Sequence, residues 1–226
     1  MGAIEIAGKL YSGLIFDFDG VLADSVEVKT EAFGALFMEY GPKIQTKVID
    51  HHRAHGGMTR KEKFVHYHAH FLDDPLDETG LERLCRKFSG LVMEKVIASR
   101  EIPGVGRFLE RCRTLGVPCF VDSATPDEEL EIILERRNLR SYFTAALGSG
   151  GSKTENLARI IDSHGLNHRE CLFFGDAGSD YKAATACRVD FMGILPGPAA
   201  PLLAQHPDIH WAEDFNQLEG GTIHGR

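Results

Sequence analysis

The sequence predicts an α/β protein: a doubly wound, Rossmann-like parallel sheet core with an inserted all-helical cap domain. Three observations lead there. From residue 102 onward, short apolar runs alternate with segments of helical spacing. A separate apolar run, Leu14, Ile15 and Phe16, lies near the start and ends in acidic residues. Between the two, residues 25–99 carry helical periodicity and no strand signal. Alternating strands and helices build a parallel sheet with helices on both faces. The expected division is therefore residues 1–24 and 100–226 for the core and residues 25–99 for the cap.

The elements follow in order. Residues 14–16 read as a buried strand, leading into Asp17-Phe18-Asp19-Gly20. Side chains two apart on an extended chain share a side, so Asp17 and Asp19 should face one cavity. Gly20 permits a sharp turn beside them. After Ser25, the residues Val26, Ala32, Phe33, Leu36, Phe37 and Tyr40 form one helical face, and Gly41-Pro42 ends it. A second helix is expected over 46–55, before Gly56-Gly57. Thr59 with Glu62 makes a capping box for a helix carrying Phe64, Val65, Tyr67, His68 and Phe71. Pro75 marks a turn, and Leu81, Leu84, Phe88, Leu91, Val92 and Val96 trace a long amphipathic helix ending near Ser99.

In the second half, a helix over 105–115 precedes a strand over 117–122. Thr125-Pro126-Asp127-Glu128 is a helix start, with Thr125 as N-cap and Pro126 in the first helical position. A strand over 143–147 leads to a second capping box, Ser152-Lys153-Thr154-Glu155. Strands over 170–174 and 191–195 enclose a helix over 181–187. A short helix over 201–206 and an edge strand over 209–211 complete the pattern.

Composition narrows the function. A net charge of −8 argues against a general nucleic-acid or anionic-membrane binder. The five cysteines, Cys85, Cys112, Cys119, Cys171 and Cys187, are odd in number and show no CxxC, which suits free thiols in a reducing compartment. The N-terminus lacks a basic stretch followed by a long apolar one, and no run of ~18 apolar residues would cross a bilayer. A cytoplasmic monomer or homodimer is expected.

The strand ends suggest chemistry. Ligands of open parallel sheets bind beyond the carboxyl ends of the strands. Read in turn, those ends present Asp17 and Asp19, then Ser123, then Lys153 at a helix start, then Asp176 with Asp180. Two carboxylates so close need a cation or a shared proton. A calcium loop does not fit, since Val21, Leu22 and Ala23 follow Gly20. Ser123 offers a hydroxyl, Ala124 and Thr125 offer N–H groups, and Lys153 offers a full charge to an anion. Asp176 and Asp17 can supply oxygens to Mg²⁺, and Asp180 can bind the metal or order a water on it. Each residue alone also has a plain structural role as a cap or a solvated side chain. Their joint order suits phosphoryl transfer.

That order, DFDG, VDSA, SK and GDAGSD, resembles the four motifs of the haloacid dehalogenase superfamily over the whole chain, with a helical cap after the first motif. The resemblance implies a Mg²⁺-dependent phosphatase of a small phosphorylated metabolite, such as a sugar phosphate. Asp17 would be the nucleophile and Asp19 the general acid and base. Ser123, Ala124 and Lys153 would bind phosphate. The metal would take Asp17, the backbone carbonyl of Asp19, and Asp176, with Asp180 beside it. An aspartate at position 19 favours phosphate esters over dehalogenation.

In the cap, Gly57-Met58-Thr59-Arg60 resembles the substrate loop of the β-phosphoglucomutase-like branch, which makes Arg60 a substrate candidate along with Lys29 and His52. Lys29 stands where the mutase carries a histidine, which weakens a mutase assignment. The pairs His51/His55 and His66/His70 have the spacing of zinc ligands, but no HExxH accompanies them. A phosphomutase and a non-catalytic binding protein of the same fold are the alternatives.

Overall fold

The computed structural model describes residues 2–218 and 223–225; residues 1, 219–222 and 226, at the outer ends of the expected core segments, lie outside that range. A hairpin absent from the sequence expectation opens the chain. Strand β1 (Ile4–Ile6) pairs antiparallel with β2 (Lys9–Tyr11). Lys9 and Tyr11 each bond to Asp190 at 2.7 Å and fasten the hairpin to the body. Both strands are three residues long, below the length at which alternation is legible.

Strand β3 (Gly13–Phe16) is buried throughout. The chain then leaves the sheet for four helices: α1 (Val26–Leu36), α2 (Pro42–Ala54), α3 (Arg60–Tyr67) and α4 (Glu78–Ala98). The expected start of α2 was four residues late. Pro42 ends nothing; it opens α2, because a proline in the first turn gives up only an N–H that has no helical partner. The Thr59–Glu62 capping box opens α3, and a π-helical stretch, His68–Leu72, continues it. Phe33 binds these helices together, its ring centroid 5.4 Å from that of Phe64 and 4.4 Å from that of Phe88.

The helical insertion leaves and rejoins the core through one narrow neck. Asp24 N–H donates to Arg100 O at 2.9 Å and Ile102 N–H donates to Leu22 O at 3.2 Å. Ala23 bridges Glu101 between them. Arg137 donates from Nη1 to the carbonyls of Val96, Ile97 and Ser99 at 2.8–2.9 Å and satisfies the end of α4.

The core continues as α5 (Val105–Leu115), β4 (Cys119–Asp122), α6 (Asp127–Arg136), β5 (Ala145–Leu147), α7 (Lys153–Ser163), β6 (Cys171–Gly175) and α8 (Gly178–Cys187). It closes with β7 (Asp190–Ile194), α9 (Pro201–Gln205), β8 (His210–Ala212) and α10 (Phe215–Leu218). The six strands run in the order β5-β4-β3-β6-β7-β8, and every pairing is parallel. This is the doubly wound fold the alternation predicts. On one face Phe16 packs against Phe174, with ring centroids 4.9 Å apart, and against Phe108, Phe143 and Phe215. On the other, Ile15, Phe120 and Phe173 meet Leu157, Ile160, Ala183 and Ala184. The connections diverge on either side of β3, so a crevice opens beyond the carboxyl ends of β3 and β6. Asp17 and Asp176 follow those two strands directly.

Thr125 is not the cap of α6, which begins at Asp127 with Pro126 in the N-cap position. Its hydroxyl instead accepts from Lys29 at 2.9 Å. Arg60, the candidate for a substrate anion, has another partner. Its two terminal nitrogens donate to the two carboxylate oxygens of Glu129 on α6, at 2.9 and 2.7 Å, and Nη1 also donates to Ser89 at 2.7 Å. The guanidinium therefore fastens the helical cap to the core, a bidentate match of planar groups. Gly57 completes the closure, since a Cβ there would overlap the side chain of Ser179 at the start of α8.

The Arg60–Glu129 pair is largely buried, with side chains 7% and 19% exposed. Glu129→Ala should cost about 2 kcal/mol of stability, between an exposed pair and the ~3–5 kcal/mol of a fully buried one, because Glu129 keeps some water. In urea unfolding, the double variant Arg60→Met with Glu129→Leu should lose less than the two single losses added, since neither charge is then stranded. Additive losses would mean that the pair carries no coupling.

Candidate active site

The site is built where β3 and β6 end. Asp17 N–H donates to Phe174 O at 2.9 Å, which prolongs the β3–β6 pairing by one step and holds the residue at the sheet edge. Its carboxylate accepts from Phe18 N–H at 2.6 Å and from Lys153 Nζ at 2.7 Å. Lys153, first residue of α7, also pairs with Asp180 on α8. The other oxygen of Asp180 accepts from the N–H groups of Asp176 and Ala177, at 3.2 and 3.0 Å. Asp180 thereby shapes the β6–α8 turn and presents Asp176. Gly175 makes the close approach possible, since a Cβ there would come within 2.7 Å of Asp180 Cγ. Gly20, at φ 78°, performs the same service across the crevice, where a Cβ would lie 2.9 Å from Asp176 Cγ.

Asp17, Asp176 and Asp180 place one carboxylate oxygen each within 4.8 Å of one another, the one such group of potential metal ligands among the described residues. Burial pushes the Asp17 carboxyl up to about 7; Lys153 opposes this, and Asp180 and Asp19 add to it. Burial, then Asp17 and Asp180, raise Asp176 well above the usual carboxylate range. Burial disfavours the ammonium of Lys153, but Asp17, Asp180 and Asp122 overcome it and hold the charge. Three ionised carboxylates against one ammonium would leave excess negative charge in a desolvated place, which is why Asp17 and Asp176 hold protons so readily here. A hard divalent cation fits such a set of oxygen donors, with no nitrogen or sulfur among them.

The Asp19 carboxylate is not in that group. It accepts from Ser25 Oγ at 2.6 Å and from Lys29. Burial would raise it, but Lys29 and Ser25 outweigh burial and keep it below the ordinary range. Lys29 is thus a partner of Asp19 rather than a free cap cation. Both acids still line one cavity between the cap and the core. Ala124 lines it too. Ser123 is 1% exposed, and its hydroxyl accepts from Thr125 N–H at 3.2 Å. Behind it Asn156 donates to Asp122 at 3.0 Å and to Gly148 O at 2.8 Å, which steadies the end of β4.

On the cap side, His52 and Lys63 line the cavity, with Lys63 Nζ 2.7 Å from His52 Nδ1. Lys63 was absent from the sequence reading. The available signal was its register: positions 60, 63, 64 and 67 fall on one helical face, and all four are buried. His51 stacks on His55 and on His66, and His70 lies tilted against His66, with ring centroids 4.0–4.6 Å apart; their nitrogens do not converge as metal ligands.

Comparison with known proteins accords with this arrangement. A family profile described as "Haloacid dehalogenase-like hydrolase" matches residues 14–194. A curated phosphoglycolate phosphatase from Pseudomonas savastanoi pv. phaseolicola is 26% identical over 229 residues, covering 96% of this chain and 82% of that protein. The CbbY protein of Cupriavidus necator is 25% identical over 202 residues, covering 78% of this chain and 75% of its own. Among solved structures, a β-phosphoglucomutase from Clostridium difficile superposes with a TM-score of 0.75 at 17% identity, covering 92% of this chain and 93% of that one. A structure titled a predicted phosphoglycolate phosphatase from Haemophilus somnus gives 0.72 at 19% identity, covering 92% and 96%. These structural likenesses show a shared fold. With the profile spanning the crevice residues from Asp17 to Asp180, the chain belongs to the haloacid dehalogenase-like hydrolase family, as an enzyme whose curated relatives are mostly phosphatases.

Proposed function

We propose that the chain is a Mg²⁺-dependent phosphatase that hydrolyses a small phosphate monoester through a phosphorylated Asp17. The observation that carries this reading is the meeting of Asp17, Lys153, Asp176 and Asp180 at the β3–β6 crevice. Asp17 and Asp176 would hold the metal with the backbone carbonyl of Asp19, and Asp180 would stand beside them. Bound there, the ion would neutralise charge between the carboxylate and the phosphoryl group.

The remaining work belongs to the protein. An Asp17 oxygen attacks phosphorus, and the bond from phosphorus to the ester oxygen breaks. Lys153, the Ser123 hydroxyl and the Ala124 N–H offset charge on the non-bridging oxygens. Asp19 protonates the departing alkoxide, then takes a proton from the water that attacks phosphorus, releasing phosphate and restoring Asp17. Lys29 and Ser25 hold Asp19 as a carboxylate, the form the second step needs. For the first step Asp19 must take up a proton from solvent as the ester binds, and an approaching phosphoryl dianion raises its proton affinity. The proton taken from water in the second step restores the acid for the next turnover. All five cysteines are free thiols, which suits a cytoplasmic setting. No helix among the described residues is long and apolar enough to cross a membrane.

Purified protein should release p-nitrophenol from p-nitrophenyl phosphate with Mg²⁺ and stop on chelation with EDTA. Asp17→Asn should abolish turnover; activity within tenfold of wild type would remove Asp17 as nucleophile. Asp19→Asn should slow an alkyl phosphate by about 10²–10⁴. It should slow the aryl ester less, since p-nitrophenolate leaves without a proton. Equal losses on both esters in kcat/KM, which ends at departure of the leaving group and leaves out the shared water step, would mean that Asp19 is not the acid.

A further inference from the structure

Three cations line the cavity from the cap side, and two of them are already engaged. Lys29 binds Asp19 and Thr125, and Arg60 binds Glu129 and Ser89. The third, Lys63, is 1% exposed and has no carboxylate partner among the described residues. Its hydrogen-bond partner is the Nδ1 of His52. Its ammonium sits 5.5 Å from the centroid of the Phe33 ring. A buried cation so placed is costly to keep, and a methionine or leucine at this helix position would pack at less expense. Burial and the charge of Lys29 pull the Lys63 amine down to about 7, while Asp19 and Asp176 draw it back up.

His52 is arranged to match. It is 5% exposed, and its ring packs on Phe33 with centroids 4.8 Å apart. Burial, then Lys63 and Lys29, push it down to about 3, so the imidazole is neutral. With Nδ1 accepting from Lys63, its proton is assigned to Nε2. That N–H has no protein partner among the described residues.

We propose that Lys63 and His52 form a second recognition point that binds a carboxylate on the alcohol half of the phosphate ester. The inference rests on the phosphatase reading, which puts the phosphoryl end at Asp17. One cation without an anionic partner and two N–H donors match a monoanion with two oxygens. A second phosphate dianion would call for the Arg60 fork, which Glu129 holds. The enzyme is thus selective for short phosphorylated hydroxy acids over neutral phosphorylated alcohols of the same size.

The test compares phosphoglycolate with its amide, in which a neutral carboxamide replaces the carboxylate. Wild type should favour the acid in kcat/KM by about 30-fold, as expected for a charge-assisted bond. Lys63→Met should bring that ratio to within about threefold, acting on KM for the acid more than on kcat. A wild-type ratio near one, or equal losses on acid and amide in Lys63→Met, would overturn the inference. Should Lys63→Met not fold, the wild-type ratio decides alone. Release of p-nitrophenol with a ratio near one defeats only this inference, whereas no turnover of any ester defeats the phosphatase reading itself.

Discussion

A single buried ammonium, that of Lys153, holds the crevice together. It lies between Asp17, just past the first core strand, and Asp180 on a helix more than a hundred residues later. Removing carboxylates from water costs several kcal/mol each unless charge or hydrogen bonds replace the lost solvation. Much of the local architecture answers that demand. Asp180 receives two backbone N–H groups, Asp17 receives one, and Gly20 and Gly175 keep Cβ atoms out of the crowded space. What is still unbalanced after Lys153 is negative, and that surplus makes the place attractive to a cation and, through it, to a phosphoryl group.

The parts legible in the sequence were those encoded over a few neighbouring residues. Most of the core strands announced themselves as short apolar runs, and those before Asp17, Gly148 and Gly175 are closed by an acid or a glycine. The Ser152–Glu155 and Thr59–Glu62 boxes located two helix starts to the residue. The parts that stayed hidden depend on partners far along the chain. Thr125 has every local mark of a cap, yet its hydroxyl serves Lys29, 96 residues away. Arg60 looked available because Glu129, 69 residues on, is an unremarkable acid in a helix. Lys63 stands in a run of charged residues that draws no notice, although its register with Phe64 and Tyr67 places it inward.

The cap thus divides its cations by duty. Arg60 joins cap to core, Lys29 governs the protonation of Asp19, and Lys63 is kept dry beside a neutral histidine. The same aromatic residue, Phe33, organises the space around them, touching Phe64, Phe88 and His52 and supplying the wall on which the lysine rests. The arginine that closes the cap and the lysine proposed to read the substrate are therefore different side chains, although both line one cavity.

The neck at Ala23 and Glu101 has an evolutionary implication. The two ends of the insertion are already hydrogen-bonded neighbours, so the core sees only a short loop, whatever is strung between them. A different roof, longer, shorter or of another architecture, can be grafted at that splice point without disturbing the order of the sheet beneath. The arrangement separates the rate of invention above the crevice from the need to preserve the machinery within it.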